Sequence, residues 1–385
     1  MERFFRVLLL GVLVSGISAC SLFSSDDEVV RTPKALTTIK EEAVQLTEVW
    51  SRSIGKGVDG RYEQLIPVVS GEAVYVTDAD GVISAFNSKD GKPLWNRKLE
   101  VRVGGGVNAG YGQVLLGTLN GEVIALDEKD GSELWKTRVS SEILSAPVTD
   151  GSFVLVKSID DKLTALDAKT GKTLWQQDTL QPALTLRGSS APVIEREAVF
   201  SGYSNGDAKA FRMENGMPLW SSRVAIPKGS TELERMVDID STPLIVGDTV
   251  FLVSYQGNVV ALDLYSGRVR WSKEMSSYKA MAEGFGSLYI TDQDSFVSSL
   301  DQRTGASSWR QESLEYRALT APVTFSSYVV VGDYQGYLHL LSQVDGSLAG
   351  RFKAGSSAIK AQPVADNDML FVLNADGKLM ALKKR

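Results

Sequence analysis

The chain is nearly devoid of thiol and imidazole, with one cysteine and one histidine in 385 residues. Most zinc sites and most nucleophilic triads draw on those two groups, so Cys/His metal centres, Cys/His catalysis and disulfides within the chain are excluded. Positive charge is not in excess either. Forty-one Lys and Arg stand against 47 Asp and Glu, for a net −6, the wrong sign for a protein that gains affinity by neutralising phosphates. Long amphipathic helical windows are missing as well. What remains is 43% hydrophobic and rich in glycine, enough to bury a large core built from something other than helices.

The first residues belong to no fold. Arg3 and Arg6 precede an apolar run from Val7 to Val14, followed by small residues and Ile17-Ser18-Ala19-Cys20. That is a secretory signal, too short to span a bilayer. A lone thiol at the expected cleavage point resembles the lipobox of bacterial lipoproteins. The resemblance implies cleavage after Ala19, acylation of Cys20 and, with Ser21 next instead of aspartate, residence at the periplasmic face of the outer membrane. Several acyl chains on one residue give a stable anchor where a single chain binds only marginally. The expected organisation is a signal peptide over 1–19, a lipidated tether over 20–45 and one domain over 46–385.

That domain is periodic. Gly81 to Trp95 reads Gly-Val-Ile-Ser-Ala-Phe-Asn-Ser-Lys-Asp-Gly-Lys-Pro-Leu-Trp, and the same frame returns from Gly121 to Trp135, Asp161 to Trp175, Gly206 to Trp220, Gly257 to Trp271 and Ser295 to Trp309. Gly336 to Gly350 repeats it without the tryptophan, and a last copy starting at Gly377 runs out at Arg385. The mean period is near 42 residues, the length of one four-stranded propeller blade. Within each unit, short β-branched runs such as Val74-Tyr-Val-Thr and Val329-Val-Val-Gly are separated by two turns. Asp80-Gly81 or Asn120-Gly121 marks the first and Asp90-Gly91 or Asp130-Gly131 the second, each supplying the positive φ of a tight hairpin.

Eight such meanders stack into a ring because one sheet cannot bury both of its faces alone. The expected fold is therefore all-β: an eight-bladed propeller of four-stranded antiparallel blades. The last copy lacks its outer strand while Trp50 stands unassigned upstream, so the N-terminal strand around Trp50 closes the last blade. All seven tryptophans then serve blade packing. Pro67, Pro147, Pro192, Pro243, Pro322 and Pro363 open innermost strands, where no donor is needed.

The frame Ala-Leu-Asp-x-x-x-Gly-x-x-x-Trp, at Ala125 to Trp135 and Ala165 to Trp175, resembles the repeat of quinoprotein-like propellers. Together with the lipobox and the borrowed strand, the chain resembles the propeller lipoproteins of the outer-membrane β-barrel assembly machinery. The spacing from tryptophan to the next strand-opening proline is 12 or 13 residues in short connections. It rises to 17 between Trp175 and Pro192 and to 23 between Trp220 and Pro243, and adjacent insertions on one rim of a repeat protein mark a binding face. The first holds Leu184, Leu186 and Arg187; the second holds Asp238 and Asp240. Two arrangements are open: the leucines and Arg187 form an exposed contact, or they tuck inward with Arg187 paired to Asp238 or Asp240. The resemblance implies that these five residues dock BamA through its periplasmic (POTRA) domains and that the ring helps deliver unfolded β-barrel clients, with no cofactor. The same repeat in an enzyme would imply a quinone-dependent dehydrogenase holding pyrroloquinoline quinone and calcium at the ring axis, but no adjacent cysteine pair or evident ligand set is present.

Three lesser features carry no chemistry of their own. His339 falls at a strand position expected to be half-exposed, Thr77–Gly81 lacks the later glutamate of a calcium loop, and Gly104-Gly105-Gly106 fits a slim inner strand better than a dinucleotide site.

Overall fold

The computed structural model describes residues 31–58 and 65–385; the signal segment and Cys20 lie outside the described residues. Every regular element among the described residues is a strand, and the strands form eight four-stranded antiparallel sheets. Blades 1 to 7 span 68–98, 103–138, 148–177, 193–223, 244–274, 282–311 and 323–353. Blade 8 takes three strands from 364–384 and its outermost strand, Leu46–Ser53, from the N-terminal side. That strand pairs with Lys378–Lys384 from Leu46 opposite Lys384 to Ser53 opposite Lys378, so the ring closes by strand pairing as the repeat count requires.

The tryptophan frame is the joint between blades. In blades 1 to 6 each tryptophan stands opposite a small residue on the neighbouring strand, Ala85 with Trp95 and Ser299 with Trp309 among them; Trp50 faces Ala381 in blade 8. Each indole N–H then donates to a carbonyl of the next blade: Trp50 to Ser88 at 3.0 Å, Trp135 to Ala168 at 2.8 Å, Trp220 to Leu264 at 2.9 Å. Each ring also lies against that blade's second-turn glycine. A Cβ on Gly91 would meet the Trp50 ring at 2.5 Å, and one on Gly171 the Trp135 ring at 2.5 Å. The second-turn glycine is thus required twice over, for its positive φ and for the indole above it.

Blade 7 has no tryptophan because its neighbour has no second turn. Blade 8 is open where the chain ends and restarts, so no turn glycine awaits an indole. Gly350 stands at the tryptophan position, opposite Leu340, and the chain around Val44 fills the space instead. A Cβ on Gly350 would lie 2.3 Å from the Val44 carbonyl oxygen, and the Ala43 N–H donates to the Ala349 carbonyl at 2.8 Å.

The outer strands carry a bulge beside the tryptophan position, which leaves the residue before it unpaired. Leu94, Leu134, Leu174 and Leu219 occupy that place and are exposed. A bulge twists an edge strand away from further pairing, a recognised way of blunting an open sheet edge.

The structure corrects the reading of His339. It is fully buried, with Nε2 2.9 Å from the Asp333 carboxylate and Nδ1 accepting from Arg351 Nε at 3.3 Å. Asp333 also takes Arg317 Nε and Nη2 at 2.9 and 2.7 Å. Burial pushes the imidazole below its ordinary pKa, and the Arg351 N–H on Nδ1 leaves the ring N–H on Nε2, facing Asp333.

Candidate functional site

In a four-stranded meander, blade-to-blade connections share one rim with the turns between second and third strands, and the other two turns of each blade lie on the opposite rim. The two insertions, 178–192 between blades 3 and 4 and 224–243 between blades 4 and 5, are blade-to-blade connections and so lie side by side on the first rim. They are tied to each other. The Leu186 main-chain N–H donates to the Asp238 carboxylate, and Ser190 Oγ donates to the Ser241 carbonyl at 2.9 Å. Gly188 lies so close to Asp240 that a Cβ there would fall 2.2 Å from its carboxylate. A side chain at position 188 would have to displace the Asp240 carboxylate.

The five residues singled out from sequence divide into two kinds. Leu184 is 42% exposed and the Arg187 side chain 58% exposed; Leu186 is half-buried. Arg187 pairs with Glu142 of the preceding connection at 3.0 Å, not with either aspartate. Asp238 is fully buried, and Asp240 is half-buried against the ring axis. Near them lies a buried ion pair, Lys157 with Asp161 at 3.0 Å, Lys157 also donating to the Gly202 carbonyl at 2.5 Å. Burial is the main force on both insertion carboxyls. It pushes Asp238 up to about 6, against the opposing Leu186 N–H, and Asp240 up to about 7, with the Asp238 charge adding to the rise.

A pH dependence of stability follows from these raised values. A carboxyl whose pKa is higher folded than unfolded favours the native state at low pH. That contribution is complete below the unfolded value near 3.9 and is lost as pH rises through about 6 to 7. Asp240→Asn is therefore expected to raise the unfolding free energy at pH 8 by a few kcal/mol, at roughly 1.4 kcal/mol for each tenfold weakening of the acid on folding, and to leave it little changed at pH 4. Denaturant unfolding at the two pH values checks this; a variant whose pH profile matches the parent contradicts it.

The second insertion contains a contact that reading by repeat frame overlooks. The Ser230 and Thr231 N–H groups donate to the Glu234 carboxylate at 2.8 and 3.1 Å, and the Glu234 N–H donates back to Thr231 Oγ1 at 3.2 Å. This is a reciprocal capping box, and those donors hold the Glu234 carboxyl below the usual range. The turn it fixes displays Leu233, 61% exposed, with Ile226 at 65% on the approach and Leu180 at 91% on the first insertion. Thr231-Glu-Leu-Glu234 was the signal in the sequence, a Thr-x-x-Glu pattern.

At the ring axis is a cavity of about 360 Å³ lined by one or more residues of every blade or its leading connection, among them Gly106, Ser145, Ala191, Pro243, Ala321 and Gln362. Asp240 is the one carboxylate among its lining residues. No group of three His, Cys, Asp or Glu suited to a metal occurs among the described residues, and no helix there is long and apolar enough to cross a membrane.

An eight-bladed propeller with a tryptophan joint at the end of each full repeat defines the quinoprotein-like class. The solved structure of quinohemoprotein alcohol dehydrogenase from Comamonas testosteroni shares that fold with a TM-score of 0.71 over 90% of this chain and 78% of the other, at 14% identity. The family described as outer membrane protein assembly factor BamB matches residues 26–102, 79–311 and 293–385, and the chain belongs to that family. It is 52% identical to the outer membrane protein assembly factor BamB of Pseudomonas aeruginosa, over 93% of this chain and 94% of the relative. To the Escherichia coli K12 protein of that name it is 37% identical, over 98% and 99%. The crystal structure of BamB from Moraxella catarrhalis superposes with a TM-score of 0.81 at 27% identity, covering 88% of this chain and all of that one. Of the two functions the repeat left open, membership decides for the assembly factor over the dehydrogenase.

Proposed function

We propose that the protein is a non-catalytic scaffold of outer-membrane protein assembly, anchored through acylated Cys20 at the periplasmic face of the outer membrane, whose insertion rim docks the periplasmic (POTRA) domains of BamA. Leu184, Leu186 and Arg187 make the contact, with Leu233 and Ile226 beside them. Asp238 and Asp240 act from below, holding the first insertion in place through the Leu186 N–H and the Gly188 approach. The observation that carries this reading is the tie between two otherwise separate insertions that leaves apolar side chains outward with a charged neighbour. Apolar anchors ringed by polar groups are the composition of an interface centre. Docked in this way, the ring assists the delivery of β-barrel precursors.

Replacing Leu186 and Arg187 together by alanine tests the contact, since neither side chain belongs to a blade core. The double variant is expected to keep the parent's melting temperature and lose co-purification with BamA from envelope membranes, because truncating two centrally placed anchors costs about 2 kcal/mol or more each. Undiminished co-purification would reject the assignment.

A further inference from the structure

Residues 33–45, expected from sequence to be tether, are seated on blade 7. The Lys34 N–H donates to the Glu315 carbonyl at 2.9 Å and its ammonium to the Glu312 carbonyl at 3.3 Å. Arg317 Nη1 donates to the Lys34 carbonyl at 2.9 Å, and Arg351 Nη2 donates to the Thr37 carbonyl at 3.1 Å. Both guanidiniums are fixed from behind. Arg317 is 2% exposed and held by fully buried Asp333, and Arg351 leans on His339. From Thr37 the segment runs along the outer strand of blade 7, with Ala43 on Ala349 and Val44 over Gly350, and enters the closing strand at Leu46. It therefore covers the one outer strand that has no tryptophan.

The place where this seat begins has a consequence for attachment. Glu312, Glu315 and Arg317 lie in the connection from blade 6 to blade 7, and Asp333 in the turn between the second and third strands of blade 7. Both features belong to the rim that carries the two insertions. We infer that the Arg317–Arg351 seat brings the membrane-bound end of the chain out on the docking rim, so that this rim is the nearer of the two to the bilayer. The inference rests on the anchor at Cys20 proposed above. With the seat made, only the residues from Cys20 to Pro33 separate lipid from ring, a reach of at most about 45 Å at about 3.5 Å per residue. Unseated, the chain to Leu46 would reach about 90 Å and would leave from the opposite rim, because the closing strand begins there.

Energy transfer on the lipidated full-length protein in phosphatidylethanolamine/phosphatidylglycerol vesicles tests this. A fluorescent unnatural residue is placed at Glu232 on the docking rim or at Val344 on the other, both exposed, with acceptor-labelled headgroups. The rims are separated by at least a strand length, about 17–20 Å. Transfer is expected to be higher from position 232, and the difference to be lost when residues 34–42 are replaced by an equal length of Gly and Ser. Equal transfer from both positions, or a difference that survives the replacement, overturns the inference. Mass spectrometry of the mature N-terminus reports acylation separately. If Cys20 proves unmodified, the same comparison is made after coupling it to a maleimide lipid, so failure of the anchor and failure of the seat are told apart. Hydrogen exchange on the soluble chain adds a readout with no membrane: the Lys34 and Ala43 amides are expected to be protected, and free exchange at both would also overturn it.

Discussion

A chain that begins at residue 54 is expected not to hold its ring. Removing Leu46–Ser53 and what precedes it takes away the outer strand of blade 8, along with Val44, Leu46 and Trp50, all buried. Trp50 alone packs between Phe86 of blade 1 and Phe371 of blade 8, at centroid distances of 6.4 and 6.0 Å, and caps Gly91. Removing a buried tryptophan costs about 3–5 kcal/mol, and a buried valine or leucine adds about 1.5–3 kcal/mol each. The sum is of the same order as the whole net stability of a domain, about 5–15 kcal/mol. The loss also exposes the edge of Lys378–Lys384, a template for aggregation. Size-exclusion chromatography and circular dichroism are expected to show an aggregated or unfolded product; a soluble monomer melting within a few degrees of the parent would mean that closure contributes little.

Asp333→Asn is expected to be the most damaging single substitution away from the blade joints, lowering the unfolding free energy by about 3–5 kcal/mol, the usual cost of breaking a buried ion pair from one side. One carboxylate here serves five donors. Oδ2 accepts from Arg317 twice and faces His339 Nε2, while Oδ1 accepts the Gln335 and Tyr337 N–H groups at 2.9 Å each. Burial pushes this carboxyl upward, but the His339, Tyr337 and Arg317 donors outweigh it and leave the pKa below the ordinary value. A depressed carboxyl stabilises the fold above its unfolded pKa near 3.9 and loses that contribution as pH falls through the folded value. The parent is therefore expected to weaken below about pH 4 and the asparagine variant to lack this component of the acid transition. Replacing both partners, Arg317→Met with Asp333→Leu, is expected to cost less than the single change, since no charge is left buried alone. Denaturant midpoints of the three proteins across pH 3–7 read all of this together.

The ring was legible in the sequence because what builds it is local. The Asp-Gly and Asn-Gly turns, the β-branched runs and the tryptophan ten residues after each small strand residue recur within single hairpins, and Trp50 upstream of a truncated last copy signalled closure. Small departures follow the backbone: in the Gln256-Gly257 turn the positive φ falls on Gln256, not on the glycine. What escaped depends on chain segments far apart. His339 looked half-exposed because nothing nearby in sequence announces that Asp333, Arg317 and Arg351 enclose it, and Gly350 looked like a degenerate repeat until Val44 was seen to fill its place. Asp238 and Asp240 enter the contact through the resemblance, and nothing near them in sequence announces that Asp238 is buried. Its partner, the Leu186 N–H, arrives from 52 residues away in the neighbouring blade-to-blade connection. Leu184 and Arg187 remain outward, and Leu233 joins them through a capping box whose pattern the repeat frame did not bring forward.

Docking through the insertion rim is the claim on which the rest depends. A photo-crosslinking residue at Leu184, compared with one at Val344 on the opposite rim, tests it in a mixture with the purified periplasmic domains of BamA. Crosslinking at 184, suppressed by the Leu186/Arg187 double substitution and absent at 344, is the predicted result. Equal crosslinking at the two positions, or none at 184 while the proteins still associate, would place the contact elsewhere and contradict docking by this rim.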